Sequence, residues 1–484
     1  MIFLQDMFSI FPEIIIFFSS ILVILTDLFF AKYFRNISYF ITQCSIIIAF
    51  FFTVKSFPSI HHFIFDGEVY LNNFTTILKG FVLFIAFFTF IYSKDYIQDK
   101  KIPACEFYIL SLLSILGSLV LISASSLITI YVGLELLSFP LYTLLAIRNY
   151  CVKGTESSIK YFALGAISSC FLLYGMSLLY GATGSLNIYT IGEYFFKDLT
   201  LFSGNYNIFF LGIFLVVCSS LFKLGAFPFH MWMPDVYQGS PNAVTLFLST
   251  IPKISSFAML INFLIFSIPQ KIFELDKILI FLGSASIFLG NLMALSQNSI
   301  KRMLAYSTVS HIGFILLSLG AIYPSSLALA TATYYLIVYI IMASSVFGIL
   351  TLLSVKRNDI ENLSDFVGLN RNHPWIAFLM LILIFSMAGI PPFSGFVAKF
   401  LVIIGLVDMG YYALSSYALV MSVVSAFYYI RIIKVMYFEK PMKKSFIPID
   451  KKVVLLSITF NVLLVLFLGI FPGILIDLVK IVSF

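Results

Sequence analysis

Residues Ser325–Ser354 read SSLALATATYYLIVYIIMASSVFGILTLLS, thirty positions without one Asp, Glu, Lys or Arg. An α-helix of that length rises about 45 Å, more than the roughly 30 Å of bilayer hydrocarbon. Such a run has no business in water. In hydrocarbon it is stable as a helix, because every backbone group then pairs within the segment.

The rest of the chain extends this reading. Apolar residues are 61% of the sequence and charged residues 11%, with a mean hydropathy of +1.05. A soluble domain carries about 25% charged residues, so this chain could not cover its surface in water. The apolar runs are too long and too unalternating for barrel strands, which read as alternating segments of about ten residues. An all-α polytopic membrane protein follows, with fourteen spans expected at 10–30, 37–57, 74–93, 106–123, 126–147, 158–180, 207–228, 241–266, 277–297, 303–322, 325–354, 374–407, 411–437 and 453–477. The first run, with Glu13 and Asp27 near its ends, lacks a basic leader and a small-residue cleavage site, so it reads as a retained helix. No loop is long enough for a soluble catalytic domain.

Loop charge sets the expected orientation. One alternating set of loops holds Lys32, Arg35, Lys94, Lys100, Lys101, Arg148, Lys153, Lys301, Arg302, Lys356, Arg357, Arg371, Lys440, Lys443, Lys444 and Lys451. The other, with both termini, holds only Lys197, Lys271 and Lys480. Basic loops stay inside, so both termini are expected on the outer, positive side. The net charge of +7 reflects these loops and not a nucleic-acid partner. The five cysteines show no CxxC and no metal spacing, and read as small apolar residues.

Charges inside spans are the informative exceptions. Each costs about 2.5–3.5 kcal/mol at a helix centre, which makes it functional by default. Glu135 lies mid-run in YVGLELLSFPLY, with Ser138 and Tyr142 at helical spacing and Pro140 in the same turn. Lys223 lies in SLFKLGAFPFH, and Lys399 in MAGIPPFSGFVAKF. Lys253 follows Thr245 and Ser249 at spacings of four, which predicts one polar stripe down the eighth span. His311 shares a helical face with Ser307 and Ser318, and Thr331, Tyr335 and Tyr339 form a hydroxyl stripe on the eleventh. Lys79, near a helix end, is expected to snorkel to the headgroups. Lys160, at the start of the sixth span, is open to either reading.

Spans 7 and 12 both place Gly and Pro inside an apolar run close to a lysine. Such interruptions free backbone groups that need protein or water partners. Paired interruptions point to inverted repeats and to their ion path. Spans 4–8 and 9–13 would be the two five-helix units, giving a first repeat over 106–266 and a second over 277–437. A three-helix segment over 1–105 and a C-terminal helix over 438–484 would flank them. Burial disfavours an ammonium and a nearby carboxylate favours it, so a glutamate moving against a buried lysine loads or releases a proton. Uphill movement needs energy, and the sequence has no GxxxxGK[ST] loop, no dinucleotide fingerprint, no CxxCH and no cysteine cluster. The energy must come from partners.

The stretches GLELLSFPLYTLLA, SSIKYFALGAISSCFLLYGMSLLYGATGSL, FKLGAFPFHMWMPDVYQGSPNAVTLFLSTIPKI, GNLMALSQNSIKRMLAYSTVSHIGF and AGIPPFSGFVAKF together resemble the chain 2 (subunit N) family of respiratory complex I, the NADH:ubiquinone oxidoreductase. The resemblance covers about 106–435, and PDVYQGSP is fairly specific to it. It implies an antiporter-like subunit of the membrane arm, with a proton half-channel in each repeat. It implies that Glu135 pairs with Lys223, that Lys253 is the central lysine and Lys399 the terminal one, and that Lys160 modulates the first half-channel. His311, Tyr335 and Tyr339 would serve the route between Lys253 and Lys399. It implies no cofactor and no metal in this chain. FMN, iron–sulfur clusters and ubiquinone belong to partner subunits, and other membrane-arm subunits and lipids are the expected neighbours. A subunit of a multi-chain Na⁺/H⁺ antiporter is the alternative, and a structural scaffold is a third class. The 56 phenylalanines suggest an A+T-rich genome and favour the mitochondrial inner membrane, with a bacterial plasma membrane as the alternative.

Overall fold

Most of the long apolar runs close their hydrogen bonds within one helix. The computed structural model describes residues 9–30, 36–57, 62–148, 151–197, 206–267, 275–322, 326–354, 359–440 and 451–480. Of the loop charges above, Lys32, Arg35, Lys271, Lys356, Arg357, Lys443 and Lys444 lie outside the described residues. The chain begins with α1 (Phe11–Phe30) and α2 (Ile37–Lys55), then strands β1 (His62–Ile64) and β2 (Val69–Leu71). Next come α3 (Asn73–Asp99), α4 (Ala104–Ser123), α5 (Leu127–Leu145), α6 (Val152–Thr183) and the short α7 (Ile188–Lys197). The middle holds α8 (Tyr206–Leu224), α9 (Trp232–Gly239), α10 (Asn242–Leu248), α11 (Ile251–Ser267), α12 (Leu275–Leu295) and α13 (Ile300–Ile322). The chain closes with α14 (Ser326–Leu353), the single turn α15 (Leu369–Asn372), α16 (Pro374–Ala388), α17 (Ser394–Asp408), α18 (Tyr412–Tyr437), α19 (Lys452–Ile470) and α20 (Pro472–Lys480).

Thirteen stretches among the described residues are long and apolar enough to cross a membrane. The expected twelfth span, 374–407, is not one helix. It is α16 and α17, of 15 residues each, and each rises about 22 Å, short of the hydrocarbon thickness.

Two further differences from the sequence reading have local causes. The expected all-α fold carries one small hairpin, β1 against β2, with His62 opposite Leu71. Its turn is stitched down by Ser125 Oγ and Asn187 Nδ2, which both donate to the Gly67 carbonyl at 2.8 Å. The eighth span is interrupted at Ser249–Thr250, between α10 and α11. Pro252, in the first turn of α11, has no N–H to return to the Leu248 carbonyl, so the ladder cannot run through. The predicted stripe Thr245–Ser249–Lys253 therefore does not lie along one helix. Pro140, by contrast, sits inside α5 without ending it.

The chain divides into two units. The first comprises residues 1–90, 102–224 and 250–273. In it α5 starts on a capping box: Ser126 Oγ accepts from the Ile128 amide and Thr129 Oγ1 from the Ser126 amide, both at 3.2 Å. Amide side chains tie helices where lipid-soluble residues have no directional contact. Asn262 Nδ2 of α11 donates to the Ile122 carbonyl of α4 at 2.9 Å. This unit also overturns the expectation for Lys79. Its side chain is buried and bonded to Glu13 of α1 at 2.6 Å. A carboxylate at hand is a better partner for a buried ammonium than a distant headgroup.

The second unit comprises 91–101, 225–249 and 274–484. Here α12 and α13 pack closely through Gly283 and Gly313, where a Cβ on either would meet the other's carbonyl within 3 Å.

Candidate functional site

In the first unit, Lys223 closes α8, Lys253 opens α11, and Glu135 stands mid-α5. All three are nearly or fully buried. Glu135, Ser138 and Tyr142 occupy successive turns of one face of α5. Lys223 Nζ donates to two of them, Ser138 Oγ at 2.8 Å and the Tyr142 hydroxyl at 3.3 Å. Glu135 instead accepts a short hydrogen bond from Ser169 of α6. Glu135 and Lys223 are thus neighbours at one face of α5, without a direct ion pair among the described residues. The ammonium of Lys223 also lies 5.6–5.8 Å from the ring centroids of Tyr142, Tyr161 and Phe222. Aromatic faces stabilise a desolvated cation without fixing its proton.

Lys253 binds backbone. Its Nζ donates to the carbonyls of Lys223 at 2.9 Å and Leu224 at 2.7 Å. These are the last carbonyls of α8, freed because the helix stops there. The stop has a cause in Gly225, which holds φ +81°, a conformation open to glycine and strained for other residues.

Lys160 is placed elsewhere. Its side chain is 43% exposed and pairs with Glu156 one turn away on α6 at 2.7 Å. It is thus exposed where Glu135, Lys223 and Lys253 are buried.

The second unit repeats the lysine-on-carbonyl arrangement. Gly389, with φ +86°, ends α16. Lys399 of α17 donates to the freed Ala388 carbonyl at 2.8 Å, and to Ser425 Oγ at 3.2 Å and Ser422 Oγ at 3.4 Å. A cation at a helix C-terminus also meets the negative end of the helix dipole.

The hydroxyl stripe of α14 pairs rung by rung with α13. Thr331 bonds Ser318 at 2.6 Å, Tyr335 bonds His311 Nδ1 at 2.8 Å, and Tyr339 donates to Thr308 at 2.7 Å. Of the two serines expected beside His311, Ser318 joins this ladder, and Ser307 interacts with Tyr429 on the other side of the imidazole. The second ring nitrogen, Nε2, meets the Tyr429 hydroxyl of α18 at 3.1 Å. A neutral imidazole has one donor and one acceptor nitrogen, so a phenol on each side lets it accept a proton at one face and release one at the other. Between this ladder and Lys399 stands Phe314, with the ammonium 5.6 Å from its ring and Tyr335 stacked on it at 5.9 Å.

Sequence reasoning missed Tyr161, Ser169, Tyr429 and Pro252. The aromatic residues carry no contrast in a chain with 27 tyrosines. Pro252 was visible, and its missing amide was the signal.

Fold and site together define a polytopic membrane protein whose buried lysines hold the freed carbonyls of broken helices, and the model of the transmembrane family described as NADH:quinone oxidoreductase/Mrp antiporter matches residues 124–425. Within that class the chain belongs to the NADH-quinone oxidoreductase subunit N family: it is 44% identical over 470 residues to subunit N of Francisella tularensis subsp. holarctica, covering 95% of each chain. Among solved structures it is similar to a chain of respiratory complex I from Thermus thermophilus, at 29% identity and a TM-score of 0.81, covering 96% of this chain and 98% of that one. It shares its fold with a chain of the Mrp complex from Dietzia, at 19% identity and a TM-score of 0.85, covering 99% and 97%.

Proposed function

We propose that this chain is a proton-translocating membrane-arm subunit of an H⁺-translocating NADH:quinone oxidoreductase. The observation that carries the reading is the pair of buried lysines, Lys253 and Lys399, each seated on carbonyls freed at a break. Protons would pass through Glu135, Lys223, Lys253 and Lys399, with His311, Tyr335 and Tyr339 serving the second half. The fourteenth crossing is α16 with α17. Spans 4–8 and 9–13 form the two inverted repeats, over 106–266 and 277–437, and the recurrence of glycine break and lysine supports this. The flanking segments are 1–105 and 438–484.

Electron transfer takes place in partner chains, which hold FMN, iron–sulfur clusters and the quinone, and this chain holds no cofactor or metal. Other membrane-arm subunits are its neighbours. Relatedness at 44% to an oxidoreductase subunit N, against 19% to an Mrp chain, favours this reading over the Na⁺/H⁺ antiporter. The bacterial source of that relative supports the bacterial plasma membrane as the location over the mitochondrial inner membrane. The asymmetry of loop charge supports termini on the outer side.

Purifying the tagged chain from its native membrane tests the assignment. A flavin-bearing partner is expected to co-purify, and an assembly with Na⁺/H⁺ exchange and no flavin would overturn it. In the same assembly Glu135→Gln and Lys399→Met are both expected to reduce turnover. Full activity in both would leave only a scaffold.

A further inference from the structure

The function above does not use Lys301 and Arg302, nor the PDVYQGSP stretch. The structure brings them together inside the second unit. Arg302 Nη1 donates to Asp235 Oδ1 at 2.7 Å and to Gln238 Oε1 at 3.0 Å. Its Nε donates to Gln297 Oε1 at 3.2 Å. Lys301, 1% exposed, donates to the Ser240 carbonyl at 2.8 Å. Asp235 and Gln238 are three apart on α9 and share its face, and Ser240 is its C-cap.

Two features argue against ordinary packing. Lys301 and Arg302 sit in the first turn of α13, where the helix dipole is positive and cations are disfavoured. That cost is offset at α9, whose C-terminal end is negative and whose flank carries Asp235. Moreover, α9 has eight residues, too few to hold itself together, and the break before it severs any ladder to the preceding helix. Its position is set by contacts beyond the helix: the buried apolar face of Trp232, Met233, Val236 and Tyr237, the clasp near its C-terminal end and, before its start, the Phe227 amide donating to Ser286 Oγ of α12 at 2.9 Å.

We infer that Lys301 and Arg302 are positioning residues for proton transfer. They clasp α9, which begins a few residues after Lys223 in the chain, to α13, which carries His311. Loosening the clasp leaves the chemistry of Lys223 and His311 intact but displaces the segment that follows the first break. The inference rests on the proton-translocating reading.

The test is proton pumping per NADH oxidised in the assembled, reconstituted complex. Arg302→Ala is expected to lower the ratio toward that of Lys223→Ala, because a misplaced group slows transfer. The exchange Asp235→Arg with Arg302→Asp is expected to recover much of it. A wild-type ratio in Arg302→Ala, or an exchange no better than its single changes, overturns the clasp. Should Arg302→Ala prevent assembly, Gln238→Leu and Arg302→Lys carry the test. Partial loss in both supports the clasp and a wild-type ratio in both overturns it. Lys223→Ala run alongside separates the two ideas. If it pumps normally, the proton-translocating reading falls. If it fails while Arg302→Ala pumps normally, only the clasp falls.

Discussion

Lys253 donates to the backbone carbonyl of Lys223 at 2.9 Å. One buried lysine therefore caps the helix that ends in the other, and a change at Lys253 is felt at the helix end that carries Lys223. Lys253→Met leaves the carbonyls of Lys223 and Leu224 unpaired, at a cost of about 1–3 kcal/mol for each buried group. The expected result is an assembled complex of lowered thermal midpoint with pumping largely lost. Pumping at the wild-type rate would show that the cap is only structural.

Gly165 of α6 lies against Tyr142, and a Cβ there would overlap the Tyr142 hydroxyl. Gly165→Ala should push that hydroxyl away from Lys223, with an overpacking cost of about 1–3 kcal/mol. Tyr142→Phe removes the same hydroxyl without a clash. Similar losses of pumping in both are expected; a wild-type rate in Tyr142→Phe would make the contact dispensable.

The Glu13–Lys79 pair offers a double-mutant cycle. Removing one partner leaves a buried charge alone, at about 3–5 kcal/mol, whereas an apolar replacement of both is close to neutral. Glu13→Leu and Lys79→Met should each lower the thermal midpoint of the complex, and the double change should restore most of it. Additive losses would mean that the two charges are not coupled.

Lys160 is expected to matter little. An exposed pair one helical turn apart contributes about 0–1 kcal/mol, so Lys160→Ala should keep both stability and pumping near wild type. A large loss of pumping would restore it to the first half-channel and show that its other interactions carry the role.

The legible part of this molecule was its contrast. Glu135, Lys223, Lys253 and Lys399 stand out because charge is scarce around them, and Gly225 and Gly389 because glycine beside proline interrupts apolar runs. Contacts had no such contrast. That Lys79 meets Glu13, or that His311 meets Tyr429, follows from how helices distant in sequence pack. That Lys223 reaches Ser138 and Tyr142, one and two turns along α5 from Glu135, has the same origin. The break at Ser249–Thr250 lay within a polar stripe that an unbroken helix could equally carry, and only the missing amide of Pro252 betrayed it.

The central claim is that protons cross this subunit on its buried lysines. Lys223→Ala, in complex reconstituted into sealed vesicles, tests it through the protons moved per NADH oxidised. A clear drop in that ratio, with the complex assembled, is the predicted result. An unchanged ratio would contradict it.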